Sequence, residues 1–427
     1  MNQIKIKYAL DEKPPLYKTL IFGMQWLAIT AASIVIIGKV LAGLHFDALA
    51  RQILYMQKLF FIMGFSLFLQ IFIGHKMPLI TGPATVLLVG ILAGADRDIN
   101  AIYTTIAIGG VFQAVLSITG LFSKISRYFT SRAVAAILML IALTITPTIL
   151  NLIVNAKNIE TSVFNLLFAL CFFMSMIAAD RLLPGIWKAT MIVWAVIAGT
   201  LLYITIKPPE IFVNGKELGF LAHFFSDLTL KPAFDLGLLI SFFICFIALS
   251  INDLGSIQAI GKMINPSKME QRVSSGITIS GISNILAGFF GVIGSVNFSM
   301  SAGIIADNGN ASRFTMIPTS ISLIIIAFSP AIVAFSWNVP SVVVGVLLLY
   351  IMCTQLSAGM MVAFSQDGFS FQDGLVLGIP IMISILVSYL PVEIKSAFPP
   401  IFVPVLGNGF VMGVLAVLAL EHIVYRK

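Results

Sequence analysis

Five hydroxyl and amide side chains, Thr81, Thr85, Asn297, Ser299 and Ser301, lie in two stretches broken by proline or glycine. The first reads Met77-Pro78-Leu79-Ile80-Thr81-Gly82-Pro83-Ala84-Thr85. The second reads Gly294-Ser295-Val296-Asn297-Phe298-Ser299-Met300-Ser301-Ala302-Gly303. Proline lacks an N–H and glycine frees the backbone, so each stretch is expected to begin extended and continue as a short helix. Main-chain N–H groups would then be left beside the polar side chains, with partial positive charge from the helix start. That is binding chemistry for a small polar solute. The sequence offers no nucleophile with a neighbouring base and no cluster of His or carboxylates, so an enzyme is not indicated. It also lacks a phosphate-binding loop of the GxxxxGK(S/T) type, which speaks against direct use of ATP. Cys171, Cys245 and Cys353 sit inside apolar runs and read as small core residues, not as a metal site or a disulfide framework.

The elements that hold these stretches follow from composition. The chain has 427 residues, 59% hydrophobic and 10% charged, where a soluble domain carries about 25% charged residues. Apolar runs of roughly 20 residues recur from Leu20 to Val424, each long enough to cross a hydrocarbon layer. The backbone must satisfy itself in lipid, and the runs show no dyad alternation, so helices are expected and not a barrel. Fourteen spans are predicted, from 19–38 to 406–424, with the eighth at 235–254. The two broken stretches are the third span (78–93) and the tenth (296–306). Each is thus the third span of a half of seven. A matched pair of short, Gly/Pro-interrupted segments points to a transport site at the interface of an inverted repeat.

The fold expected is therefore all-α and polytopic, a 7+7 inverted repeat with discontinuous third and tenth spans. Residues 1–18 are polar and form the N-terminus, with the first apolar run staying as an anchor and no cleavable leader. Of the 25 Lys and Arg, sixteen fall in inner segments when the N-terminus is placed inside. Both termini are then cytoplasmic in a cell (inner) membrane. The net charge of +7 reflects that retention and not a nucleic-acid partner. The loop 207–234 is an extracytoplasmic linker between the halves. Gln70 and Gln113 read as interhelical hydrogen-bond partners, and His75 and Lys76 as an interfacial edge. Asp307 reads either as a loop acid or as a coupling or interdomain contact.

Several motifs bring a family into view. They are Leu10-Asp11-Glu12-Lys13-Pro14-Pro15 with Gly23-Met24-Gln25, then Pro78 with Thr81-Gly82-Pro83, then Asn284-Ile285-Leu286-Ala287-Gly288-Phe289-Phe290-Gly291, and finally Gly303 with Ala311-Ser312-Arg313. The chain resembles the nucleobase–ascorbate transporter family, which includes bacterial uracil and xanthine permeases. The resemblance implies a core domain of spans 1–4 and 8–11 (19–122 and 235–335) and a gate domain of spans 5–7 and 12–14 (133–206 and 341–424). It implies a homodimer, alternating access, often with H+ or Na+ as coupling ion, and no cofactor. Substrate would lie between the starts of spans three and ten, among Thr81, Gly82, Ala84, Thr85, Asn297, Phe298, Ser299 and Ser301. Trp26 replaces the family's histidine in span one and would either stack on a planar ring or pack. The family's acidic positions align with Leu249 and Met300, neither a good acceptor. Asp253, four residues after Leu249, keeps an acidic position and is the main candidate for coupling or core–gate contact; otherwise it is a solvated helix end. Two readings follow for the solute. One is a nucleobase held by an altered contact set. The other is an organic or inorganic anion drawn by helix N-termini that lack their usual carboxylates. A non-transporting membrane sensor is a third, of another class.

Overall fold

In the computed structural model the described residues are 6–126, 128–154, 158–184, 187–188, 190–208, 221, 224–225, 231–364, 369–399 and 401–425. Nine helices among them are long and apolar enough to cross a membrane. They include α1 (Leu16–His45), α2 (Leu49–Phe72), and, after the short β1 (Thr81–Pro83) and α3 (Thr85–Ala93), α4 (Ile99–Ile118). The span Ser131–Val154 is broken into α5 (Ser131–Thr144) and α6 (Thr146–Val154), and α7 (Ile159–Leu182) follows. After the shorter α8 (Met191–Ile206) come α9 (Leu236–Ile264) and α10 (Met269–Phe290). Then come β2 (Ser295–Asn297) and α11 (Ser301–Asn308). A bent pair, α12 (Ile317–Ala327) and α13 (Pro330–Phe335), precedes α14 (Ser341–Ala363), α15 (Phe371–Ser388) and α16 (Gly409–Ala419). Most of the 207–234 linker, together with Lys5, lies outside the described residues.

Local signals mark the ends. Asp98, Thr130, Asn158, Asp235 and Asn408 each accept a main-chain N–H at the start of α4, α5, α7, α9 and α16, as side-chain caps do. Ser370 and Asp373 form a reciprocal capping box on α15. Gly291 and Gly309 take left-handed φ values of 68° and 70° to stop α10 and α11. Pro330, without an N–H, sits where α12 and α13 bend by 91°.

Helices α4 and α10 pack closely along their length. A Cβ added at Gly281 would lie 2.6 Å from the nitrogen of Ala114 and 2.8 Å from the oxygen of Gly110. One at Gly288 would lie 2.5 Å from the oxygen of Tyr103. Small residues here let two backbones touch, the usual device where lipid offers no hydrophobic drive for helix association. Near one end of this assembly the N-terminal segment runs beside the exit of α11. Tyr8 bridges Asn310 in parallel, and the main chain of Ala311 and Arg313 donates to the oxygens of Tyr8 and Leu10.

Candidate functional site

The two broken stretches meet. Strands β1 and β2 pair antiparallel, with Thr81 opposite Asn297, Gly82 opposite Val296 and Pro83 opposite Ser295. The pairing is extended by Phe298 N–H to the Ile80 oxygen (2.8 Å) and Ala84 N–H to the Gly294 oxygen (2.9 Å). Ser301 Oγ takes the N–H of Ile80 at 2.9 Å. Backbone that has left a helix inside a membrane needs such partners, because no water replaces them.

A fully buried polar network fastens this pair to the neighbouring helices. Asp253 Oδ1 accepts from both the main-chain nitrogen (2.8 Å) and the side-chain Nδ2 (2.9 Å) of Asn297. Its Oδ2 accepts from Gln113 Nε2 at 3.3 Å. Asn284 donates to Gln113 Oε1 at 2.8 Å and accepts the N–H of Ser295 at 2.6 Å. Thr81 donates to Asn297 Oδ1 at 3.1 Å. Asn297 and Gln70 both donate to Ser280 Oγ. Each polar group has an assigned partner, which is what makes such a network stabilising and not costly.

Beside the strand pair lies a cavity of about 520 Å³, a size suited to one small ligand. One side is formed by Ser33, Thr85, Asn297, Phe298, Ser299 and Met300, and by a face of α9 bearing Ala248, Ile251, Asn252, Gly255, Ser256 and Ala259. The other is formed by Val134 and Ile137 of α5, by Lys188 and Met191, and by Tyr350, Thr354 and Gln355 of α14. Lys188 pairs with Asp180 at 3.5 Å, both side chains roughly half exposed.

The residues expected from sequence divide into two layers. Thr85, Asn297, Phe298, Ser299 and Met300 line the cavity. Thr81, Ala84 and Ser301 do not; they are buried in the hydrogen bonds that hold the strands. Gly82 also stands behind the wall. A Cβ there would come 2.4 Å from the ring of Phe298, so its missing side chain makes room for that ring. Trp26 is fully buried and is not among the lining side chains, which favours packing over stacking on a ligand.

Two expectations on α9 are corrected. Leu249 is buried away from the cavity, and Asn252 and Ser256 face it instead. The exposed face recurs at 248, 251, 252, 255, 256 and 259, the i, i+3, i+4 rhythm of one helix stripe. Leu249 and Asp253 fall off that stripe by helical phase. The alternative of Asp253 as a solvated helix end also fails. The helix continues to Ile264, about three turns further, and Asp253 is fully buried. The Asp307 side chain lies outside what the structure describes. Lys188, Tyr350, Thr354 and Gln355 were not anticipated. They sit on ordinary apolar spans, and only the stripe of small and polar residues on α9 was a readable signal.

A family model for Xan_ur_permease, described as Permease family, matches residues 17–393. The chain belongs to this permease family. It is a multi-pass membrane transporter of a small molecule and not an enzyme. The permease is 22% identical to the xanthine permease of Bacillus subtilis over 418 residues, covering 96% of this chain and 94% of that one. It is 22% identical to the nucleobase transporter PlUacP of Paenibacillus larvae over 417 residues, covering 95% and 94%. Among solved structures, the murine anion transporter Slc26a9 in its inward-facing state matches with a TM-score of 0.64 at 16% identity. That match covers 95% of the permease and 68% of the other chain. It speaks to fold alone.

Proposed function

We propose that this permease carries a nucleobase across the cell membrane by alternating access, driven by H+ or Na+. The observation that carries the reading is the cavity against the strand pair. It is mostly apolar and wide enough for a single heterocycle. Phe298 supplies an aromatic face, and Asn252 supplies an amide with both donor and acceptor. A nucleobase edge places ring N–H beside C=O, so one amide can meet both. The family membership and the names of the relatives support the same substrate class.

On this reading the chain has fourteen spans in two inverted sevens. The nine long helices, the bent pair, the two shorter apolar helices and the two strand–helix segments would make up that number if each crosses once. An in-plane pseudo-twofold axis would bring two equivalent extended segments together antiparallel, as β1 and β2 are. Residues 19–122 and 235–335 would form the core and 133–206 and 341–424 the gate, in a homodimer with cytoplasmic termini. Asp253 is the carboxyl proposed for coupling. The anion reading is not favoured, because the likeness to anion transporters is one of fold at 16% identity.

The test is uptake of radiolabelled xanthine, uric acid and uracil into proteoliposomes, with and without proton or sodium gradients. Saturable uptake raised by one gradient supports the reading. Uptake of sulfate or bicarbonate with none of a base would replace it with an anion carrier. Binding without counterflow would point to a sensor.

A further inference from the structure

The cavity walls carry two buried donors that the described residues leave unused. Gln355 Nε2 on α14 and Ser256 Oγ on α9 are both shielded from solvent, both belong to cavity-lining residues, and neither makes a hydrogen bond among the described residues. Their neighbours behave otherwise. Ser250, on the same helix as Ser256, donates to the Phe246 oxygen at 2.8 Å. Thr354 and Ser357, beside Gln355, donate to the oxygens of Ile351 (2.7 Å) and Cys353 (2.9 Å). Returning a hydroxyl proton to the preceding turn is the default for Ser and Thr in an apolar helix. Ser256 departs from it, and among the described residues Gln355 Nε2 has no acceptor. Unpaired buried donors are rare, and each calls for an explanation.

We infer that Gln355 is a specificity-determining residue that, with Ser256, donates hydrogen bonds to an exocyclic carbonyl oxygen of the carried base. A carbonyl oxygen has two lone pairs and can serve both donors, whereas a ring nitrogen has one. Gln355 belongs to a different helix from the broken-stretch residues that first marked the site, so it reads the solute from another side. The pair selects oxo-substituted heterocycles and rejects analogues that lack the oxo group, because rejection leaves both donors buried and unpaired. The inference rests on the nucleobase reading and adds to it the residue that reads the carbonyl.

The experiment measures inhibition of [14C]xanthine uptake in proteoliposomes by xanthine, hypoxanthine and 2-hydroxypurine, which differ by single oxo groups. Wild type and Gln355→Leu are compared, with thermal unfolding as the check on folding. In wild type, removal of one of the two oxo groups is expected to weaken inhibition about tenfold or more. In Gln355→Leu, xanthine weakens severalfold or more and removal of that same oxo group costs clearly less than in wild type, the remainder being the bond that Ser256 still donates. If Gln355→Leu does not fold, Gln355→Met, which keeps length and removes the donor, takes its place. Equal discrimination in wild type and variant overturns the inference while the nucleobase reading stands. So does a wild type indifferent to both oxo groups. A wild type that neither takes up nor binds any base removes the reading, and the inference with it.

Discussion

Asp253 holds Asn297 twice through one oxygen: Oδ1 accepts the main-chain nitrogen at 2.8 Å and the side-chain amide at 2.9 Å. The carboxyl thereby fixes the end of β2 from which Phe298, Ser299 and Met300 enter the cavity wall. Asn297 lines the cavity and Asp253 does not. Asp253→Ala would strand the two Asn297 donors and that of Gln113, each costing about 1–3 kcal/mol when buried. The expected result is a marked fall in the unfolding temperature and loss of uptake, measured in detergent and in proteoliposomes. An unchanged melting profile would contradict the anchoring role.

Asp253→Asn probes coupling separately. It removes the charge and retains an acceptor. If Asp253 couples flux to a cation, counterflow of base persists while uphill accumulation under a gradient disappears. Accumulation equal to wild type would exclude this carboxyl from coupling.

Gly82→Ala tests the space behind Phe298. The new methyl would meet the ring at 2.4 Å, and forced displacement of a packed side chain costs about 1–3 kcal/mol. The ring lines the cavity, so the expected effect is an apparent KM for base raised several-fold or more with little change in expression. Uptake kinetics give the answer.

Arg132 joins three elements away from the cavity. It donates to Asp373 at the start of α15 and to Glu421, 2.8 Å away, after α16. The carboxylate side chains are 8% and 2% exposed. Removing the cation from a buried ion cluster costs about 3–5 kcal/mol. Arg132→Met is therefore expected to lower thermal stability strongly, and the triple variant with Asp373→Asn and Glu421→Gln to recover part of it. A double variant cycle on unfolding temperature would measure the coupling.

Gly281→Leu addresses the α4–α10 seam, where a single Cβ already falls within 3 Å of the facing backbone. The two helices carry Gln113, Asn284 and Ser280, so separating them should dismantle the network around Asp253. Loss of folded protein on size-exclusion chromatography is the expected outcome, and a stable, active variant would argue against the close contact.

Composition and run length made the helices legible, because lipid leaves a spanning chain almost no other choice. Pro78, Pro83 and Gly294 likewise announced where the helices break. That the broken stretches pair as strands was not readable, since neither has the length or alternation of a β segment. The phase of α9 is hidden for a related reason. The outer side of α9, with Leu236, Ile240 and Phe243, is as apolar as its packed side, so no polar face orients the helix, and Asp253 stands out as the mid-helix charge although Asn252 and Ser256 face the cavity. Gln355 was invisible for want of context: an amide in an apolar helix gains meaning only when its partners can be checked.

The strand pair also has a consequence for biogenesis. Ile80, Thr81 and Ala84 find their hydrogen-bond partners 210 and more residues later in the chain, as the separation of 216 between Thr81 and Asn297 illustrates. While a ribosome is still making the second half, the first must wait in or near the bilayer with that backbone unmatched, an arrangement hydrocarbon tolerates poorly. The N-terminal half alone should therefore be short-lived in a cell and be rescued when the C-terminal half is supplied as a separate polypeptide.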